Sequence, residues 1–321
     1  MVEYIVNKEE EGQTLEKYVK KVLPNVPLSF IYKLFRKKDI KINGHPEDKK
    51  VKVSCGDTVR IYITDQQLED FSTSEKEVRP SDELVKYIIY EDENILLINK
   101  PRGLLVQKDK PNVKALDDMV LSYLAYKGEY DKEQKAFTPG PCHRLDRNTQ
   151  GIVIFGKNIA TLQYLMSIMQ DKSKIEKHYL ALVKGNILEK GKVDVPLKKV
   201  TDKSLVKVAS IKDGGKKAVT LYEPVKNYKE CCLLSLTLLT GRTHQIRVHM
   251  AYIGHPVIGD SKYGDFTLNK EFENKYHFVN QFLVANYVKF DQLDYPLTYL
   301  NGKKFEVEMD NDMFQILKVI W

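Results

Sequence analysis

Apolar residues follow two different periods along this chain. In the first sixty or so residues they recur at helical spacing, with Leu15, Tyr18, Val19 and Val22 on one stripe and Ile31, Leu34 and Phe35 on the next. From about Leu84 they gather into short runs rich in Ile and Val, such as YIIYEDENILLINKP (residues 87–101) and GIVIFGK (151–157), each bounded by turn formers. Helical stretches such as ATLQYLMSIMQ (160–170) stand between the runs. Further strands are predicted at LLSLTLL (233–239) and FEVEM (305–309). The pattern predicts one α+β domain over residues 84–321, a large mixed or antiparallel sheet with helices packed on it.

Residues 12–63 read as a separate small α/β module. Pro24 and Pro27 break the first helix from the second, and Ser29 is the expected N-cap of the second. On that helix Lys33, Arg36 and Lys37 share the face opposite the apolar one. A strand at IKING ends in the turn pair Asn43-Gly44, and TVRIYI (58–63) alternates like a further strand. A helix with one apolar and one basic face is often only a surface helix. The order helix, basic helix, strand, turn, strand resembles the S-four RNA-binding module named after a small-subunit ribosomal protein, which implies RNA contact through Lys33, Arg36 and Lys37. Residues 64–83 are polar and acidic without periodicity, and predict a linker.

Charge sharpens this division. The whole chain carries +7, yet residues 12–63 alone carry +7 and 64–83 carry −5. Basic charge concentrated in a short piece suits a phosphate-rich partner, and equally a solvated surface. Cys55, Cys142, Cys231 and Cys232 form neither a C-x-x-C pair nor a zinc set, which predicts free thiols in a reducing compartment. The acidic N-terminus does not read as a signal peptide, and no window approaches the roughly 18 apolar residues of a spanning helix. A cytoplasmic protein without membrane association is the expectation. No Gly-rich phosphate loop is present, which argues against a nucleotide-binding α/β fold.

Three segments carry candidate chemistry. In HRLDRNTQG (143–151), extended backbone would put Arg144 and Asp146 on one face, beside a glycine that lets another strand approach. Such a pair is either a structural ion pair or a catalytic carboxylate with its cation. In KHYLALVKG (177–185), Lys177, Tyr179, Ala181 and Val183 alternate with His178, Leu180 and Leu182. A strand tyrosine matters chemically only if it faces the same cavity as Asp146. In TGRTHQIRVHMAYIGHPVIGDSKYG (240–264), Ile246, Met250 and Ile253 form the stripe of a short helix stopped by Gly254 and Pro256. His244, His249 and His255 lack the i, i+4 spacing of a helical zinc pair, so they are expected to cap and brace, and no metal is expected. Arg242 and Arg247 make the region cationic near the helix start, which suits contact with a phosphate or carboxylate.

Together with YEDENILLINKPRGLLV (90–106), these segments resemble the RluA family of pseudouridine synthases, in the family's order and over nearly the whole chain. His143 opens the HRLD segment where the sister RsuA type usually has glycine, which favours RluA. The likeness is strongest to the RluC/RluD-type branch, which implies an S-four module and large-subunit ribosomal RNA as partner. It implies a pseudouridine synthase catalytic domain and an isomerase that needs no cofactor. Asp146 matches the family's catalytic aspartate, Tyr179 its active-site tyrosine, Arg242 the arginine that pairs with the aspartate, and Arg144 a residue that enters the RNA stack. Tyr179 is expected to stack on the uracil and assist loss of the proton on carbon 5. Gln150, Gln107 and Asn286 depart from the residues common at their positions. A non-catalytic RNA-binding assembly factor is the alternative reading, and neither the target uridine nor the oligomeric state can be read from these residues.

Overall fold

A computed structural model describes residues 1–321 except 25, 72–77, 109–112, 131–136, 201–204 and 321, and the side chains of 69–71. The first unit is a four-stranded antiparallel sheet backed by two helices. Its strands are β1 (Val2–Ile5), β2 (Ile40–Ile42), β3 (His45–Pro46) and β4 (Thr58–Ile61), in the order β1-β4-β2-β3. Helices α1 (Leu15–Val22) and α2 (Leu28–Lys37) close one face of it. Leu15, Tyr18, Val19 and Val22 pack with Ile31, Leu34, Val59 and Ile61 into a core of their own.

Two expectations shift here. Strand β1 and buried Val6 belong to this core, so the unit begins before residue 12. Pro27, not Ser29, stands at the N-cap of α2; its fixed φ of −55° suits the entry, and Ser29 lies inside the first turn. The predicted turn is built as read. Asn43 and Gly44 both take positive φ, and the Asn43 side chain bonds the Asp57 side chain and the Thr58 N–H at the start of β4. Lys33, Arg36 and Lys37 are all exposed on α2. Within the expected linker, α3 (Asp65–Phe71) is helical, and 72–77 lie outside the described residues.

The second unit is organised by one ten-stranded mixed sheet. Its main path runs through β10 (Gly191–Asp194), β13 (Val219–Asn227), β14 (Cys231–Leu238), β9 (Ile175–Lys184), β15 (Leu283–Phe290), β8 (Gln150–Gly156), β6 (Ile95–Lys100) and β5 (Ile88–Glu91). Short strands β7 (Gly140–Pro141) and β16 (Lys304–Glu306) pair with β8 and β15. A separate ribbon, β11 (Leu197–Val200) with β12 (Leu205–Val208), stands off the sheet.

Every residue of β8 is buried, because helices cover both faces. Period-two alternation sends Leu96, Ile98, Val153, Phe155, Tyr179, Ala181 and Leu234 to the first face, where α4 (Leu116–Tyr126) and α6 (Gln245–Tyr252) pack. Ile95, Leu97, Ile152 and Ile154 go to the other, against α5 (Ile159–Ile168). Leu182 and Leu233 face α7 (Phe266–Tyr276) and α8 (Asn311–Val319) on that same side. The α+β architecture, a large mixed sheet with helices packed on it, is the one expected.

Among the described residues, the single parallel contact on the main path joins β15 to the start of β8, pairing Val284 with Gln150 and Ala285 with Gly151. It requires glycine. At φ +126° a Cβ on residue 151 would lie 2.2 Å from the Ala285 carbonyl oxygen. Gly151→Ala is therefore expected to cost about 2–4 kcal/mol, combining a disallowed φ with a backbone clash. A lowered denaturation midpoint with unchanged m-value in urea unfolding is the outcome to look for, and an unaltered midpoint would contradict the close approach.

Candidate active site

Asp146 lies in the segment connecting β7 to β8, not on the strand itself. The Thr149 N–H turns back to the Asp146 carbonyl at 3.1 Å, so extended pairing begins only at Gln150. Leu145 is buried in the first-face core and anchors the segment, leaving Asp146 half-buried and Arg144 and Arg147 exposed. Tyr179 reaches the same face from β9, only 7% exposed.

The cation that meets Asp146 is Arg247. Its Nη1 donates to Asp146 Oδ2 at 2.8 Å, while its Nε and Nη2 donate to Asp260 at 2.6 and 2.8 Å. Asp260 is fully buried and also accepts the N–H groups of Lys262 and Tyr263, at 2.8 and 3.1 Å. One edge of the guanidinium is thus fixed by a two-point bond to Asp260, and the remaining nitrogen is aimed at Asp146. The Tyr263 ring lies 5.1 Å from the Arg247 guanidinium carbon.

The helix that carries Arg247 is fixed by buried polar contacts on another side. Gln245 donates to the Val219 carbonyl and Thr220 hydroxyl, both at 3.0 Å, and its oxygen accepts from Thr240 and the Arg242 N–H. One turn on, His249 bonds Thr220 and the Val195 carbonyl. His249 is a brace, as expected of it. His255 likewise bonds the Lys184 carbonyl.

Arg242 takes a different course from the one the resemblance implied. Its side chain is exposed, and its Nε donates to the Lys217 carbonyl at 3.0 Å. It precedes the helix, whereas Arg247 sits one and a half turns further on, inside the packed face. The pairing assigned to Arg242 therefore belongs to Arg247. His244 also differs from a simple brace. At φ +53° it heads α6 with Nε2 3.9 Å from Asp146 Oδ2, and its Nδ1 pairs with the Tyr263 hydroxyl at 2.8 Å. That hydroxyl accepts from the Val206 N–H at 2.7 Å, tying the ribbon to the site.

Electrostatics follow from these contacts. Burial works against the charge of Asp260, but its bonds to Arg247 outweigh it and hold the carboxyl below the usual carboxylate range. Burial likewise opposes the charge of Arg247, yet the paired carboxylates raise its pKa above normal. Burial first, and then the charge of Asp146, push the Tyr179 phenol up well beyond its ordinary value. Burial lowers the His244 imidazole, favouring the neutral ring.

Asp260 and Tyr263 escape the residue-by-residue reading, while Arg247 figures there only as a cation near the helix start and His244 only as a brace, although all four stand in the segment singled out. Gln150 departs from the family pattern without touching Asp146. It is buried, donating to the Glu308 carbonyl at 3.0 Å and accepting the Asp310 N–H at 3.0 Å.

Known proteins share this arrangement of sheet and segments. A family model described as RNA pseudouridylate synthase matches residues 94–252. The chain is 32% identical over 287 residues to ribosomal large subunit pseudouridine synthase D of Buchnera aphidicola subsp. Schizaphis graminum, covering 87% of this chain and 86% of that protein. It is 31% identical over 262 residues to ribosomal large subunit pseudouridine synthase C of Vibrio vulnificus, covering 81% and 79%. Among solved structures, human RNA pseudouridylate synthase domain containing 4 superposes with a TM-score of 0.58 at 23% identity, over 73% of this chain and 93% of that one. This chain belongs to the RluA family of RNA pseudouridine synthases, which are isomerases.

The buried ion chain makes separate demands on its members. Asp260→Ala is expected to cost about 3–5 kcal/mol in denaturant unfolding, because it leaves Arg247 buried with half its partners gone. Arg242→Ala should change stability by no more than about 0.5 kcal/mol. Equal losses in the two variants would contradict the arrangement.

Proposed function

We propose that this protein isomerises uridines of large-subunit ribosomal RNA to pseudouridine, with Asp146 as the catalytic carboxylate. The observation that carries this reading is the Asp146–Arg247–Asp260 chain, which holds a half-exposed carboxylate beside Tyr179. The names of the relatives favour the large ribosomal subunit, and they include both C-type and D-type synthases, so the target uridine stays open between them.

The reaction breaks the bond from uracil N1 to ribose C1′, turns the ring and joins C5 to C1′. The C5 proton is lost and N1 gains one, so atoms balance without net hydrolysis or redox change. Asp146 forms the covalent bond to substrate or takes a proton from the sugar. Arg247 holds that carboxylate in one orientation. Tyr179 stays a neutral phenol, since burial and Asp146 both disfavour its anion. It therefore serves as a platform for the uracil face rather than as the base, and the C5 proton leaves to a carboxylate or to water.

The uridine must first leave its stack, at a cost of a few kcal/mol. Exposed Arg144, two residues before Asp146, is the proposed filler of the gap, through its flat guanidinium. Lys33, Arg36 and Lys37 on α2 supply phosphate contacts in the proposed S-four role, adding affinity without reading sequence. No residue in this scheme calls for a cofactor.

The test is release of tritium from carbon 5 of labelled uridine in ribosomal RNA, with free uracil measured in parallel. Release without free base is expected. Free uracil that keeps its tritium, without release, would instead mark a glycosidase, and neither release nor free base from any RNA would leave a pure binding protein. Asp146→Asn should lower turnover by on the order of 10⁴-fold while RNA still binds. Replacing Lys33, Arg36 and Lys37 together by alanine should flatten the slope of log affinity against log salt by roughly 2 to 3. An unaltered slope would remove α2 from the RNA interface.

A further inference from the structure

Lys177 lies two residues before Tyr179 on the same side of β9, and the site described above makes no use of it. Its Nζ reaches just past the end of α5, where it meets the Met169 sulfur at 3.2 Å. Lys172, in the turn between α5 and β9, is its charged neighbour, and His143, directly before Arg144, faces both lysines. All three are half-buried. The Cys142 thiol beside them is pushed up to about 12 by burial and stays neutral. His143 is neutral too, because burial disfavours its charge, and its Nε2 accepts the Ile154 N–H at 3.3 Å. Among the described residues neither ammonium has a carboxylate partner. Asp171 acts on Lys172 only through its charge, its own oxygen being taken by the Ser173 N–H at 3.0 Å and hydroxyl at 2.7 Å.

Two ammonium groups withdrawn from water side by side, without an acid to pair them, raise the energy of the free protein. Burial and the Lys172 charge together bring Lys177 down to about 7. A filler of the space beside Met169 would need neither charge, since an apolar side chain packs there without the electrostatic cost. An anion placed against the pair removes the conflict. The rim on both sides suits an anion that belongs to RNA. Exposed Arg144 follows His143, and exposed Arg242 follows Gly241, whose backbone runs so near that a Cβ there would stand 3.3 Å from Gln170 Nε2.

We propose that Lys172 and Lys177 form a phosphate subsite, which takes a phosphodiester flanking the uridine when that uridine enters the pocket of Asp146 and Tyr179. This rests on the reading of the chain as a uridine isomerase. The offset favours a flanking nucleotide over the uridine itself. Two residues along a strand span roughly 7 Å, and Asp146 is not among the charges that act on Lys177. A contact of this kind fixes the register of the RNA without reading its bases. It is separate from the contacts proposed for α2, which belong to the first unit.

Two measurements on the full chain test this. Lys172→Met and Lys177→Met should each raise KM for ribosomal RNA by about fivefold or more, with a larger effect on KM than on kcat. The double variant should flatten the slope of log affinity against log salt by roughly 1, and Lys172→Arg should keep the parent's slope. A lowered melting temperature with KM and slope unchanged would mark a structural pair and overturn the proposal. The second measurement needs no turnover and keeps both lysines. In Asp146→Asn protein labelled with ¹³C at the lysine ε-carbons, a short single-stranded RNA holding one uridine is added to saturation at fixed salt. The pH at which Lys177 titrates should rise by about one unit or more. A methylphosphonate on one side of the uridine should abolish that rise. No rise with RNA would sink the subsite, and an equal rise with inorganic phosphate alone would mark a free-anion site in its place. Neither result depends on tritium release, so the subsite can fail while the isomerase reading stands.

Discussion

The guanidinium of Arg247 is the point on which the site depends. It is 5% exposed and lies between two carboxylates of unequal standing. Asp260 is buried completely and takes two of its N–H groups, whereas Asp146 takes one and keeps a side open. The inequality gives each its task. Asp260 settles the orientation of the arginine, so the more exposed carboxylate spends little freedom in being held.

Several layers of structure converge on that arginine. Gln245 and His249 fasten α6 to β13 and to the Val195 carbonyl, fixing the helix in rotation. The backbone N–H groups of Lys262 and Tyr263 keep Asp260 in place, and the Tyr263 hydroxyl reaches both His244 and the ribbon. Buried polar networks of this kind are costly when half-satisfied and rigid when complete, which suits the role proposed for Asp146.

What could be read from the sequence was whatever obeys a local period. The two faces of β9 separate as alternation requires, with Tyr179, Ala181 and Val183 toward one core and Leu180 and Leu182 toward the other. Asn43-Gly44 makes its hairpin for reasons contained in two residues. The failures were tertiary. Arg242 and Arg247 stand five apart in one segment, and which of them meets Asp146 depends on which side of α6 the sheet buries. No spacing rule contains that. Asp146 was expected on a strand because Gly151 begins one, yet a turn at Thr149 delays the pairing. The acidic start of the chain did not look like part of a basic module, although β1 lies along β4, with Glu3 bonded to Arg60 at 2.5 Å.

The parallel contact at Gly151 has a bearing on time as well as shape. Strand β15 lies between β8, which follows Asp146, and β9, which carries Tyr179, and so sets those two strands roughly 10 Å apart. Asp146, Tyr179, Arg247 and Asp260 all precede it in the chain. A nascent polypeptide that has emerged only as far as Asp260 therefore holds all four residues and lacks the strand that spaces β8 from β9. The spacing between those two strands is complete only once residues 283–290 have been made.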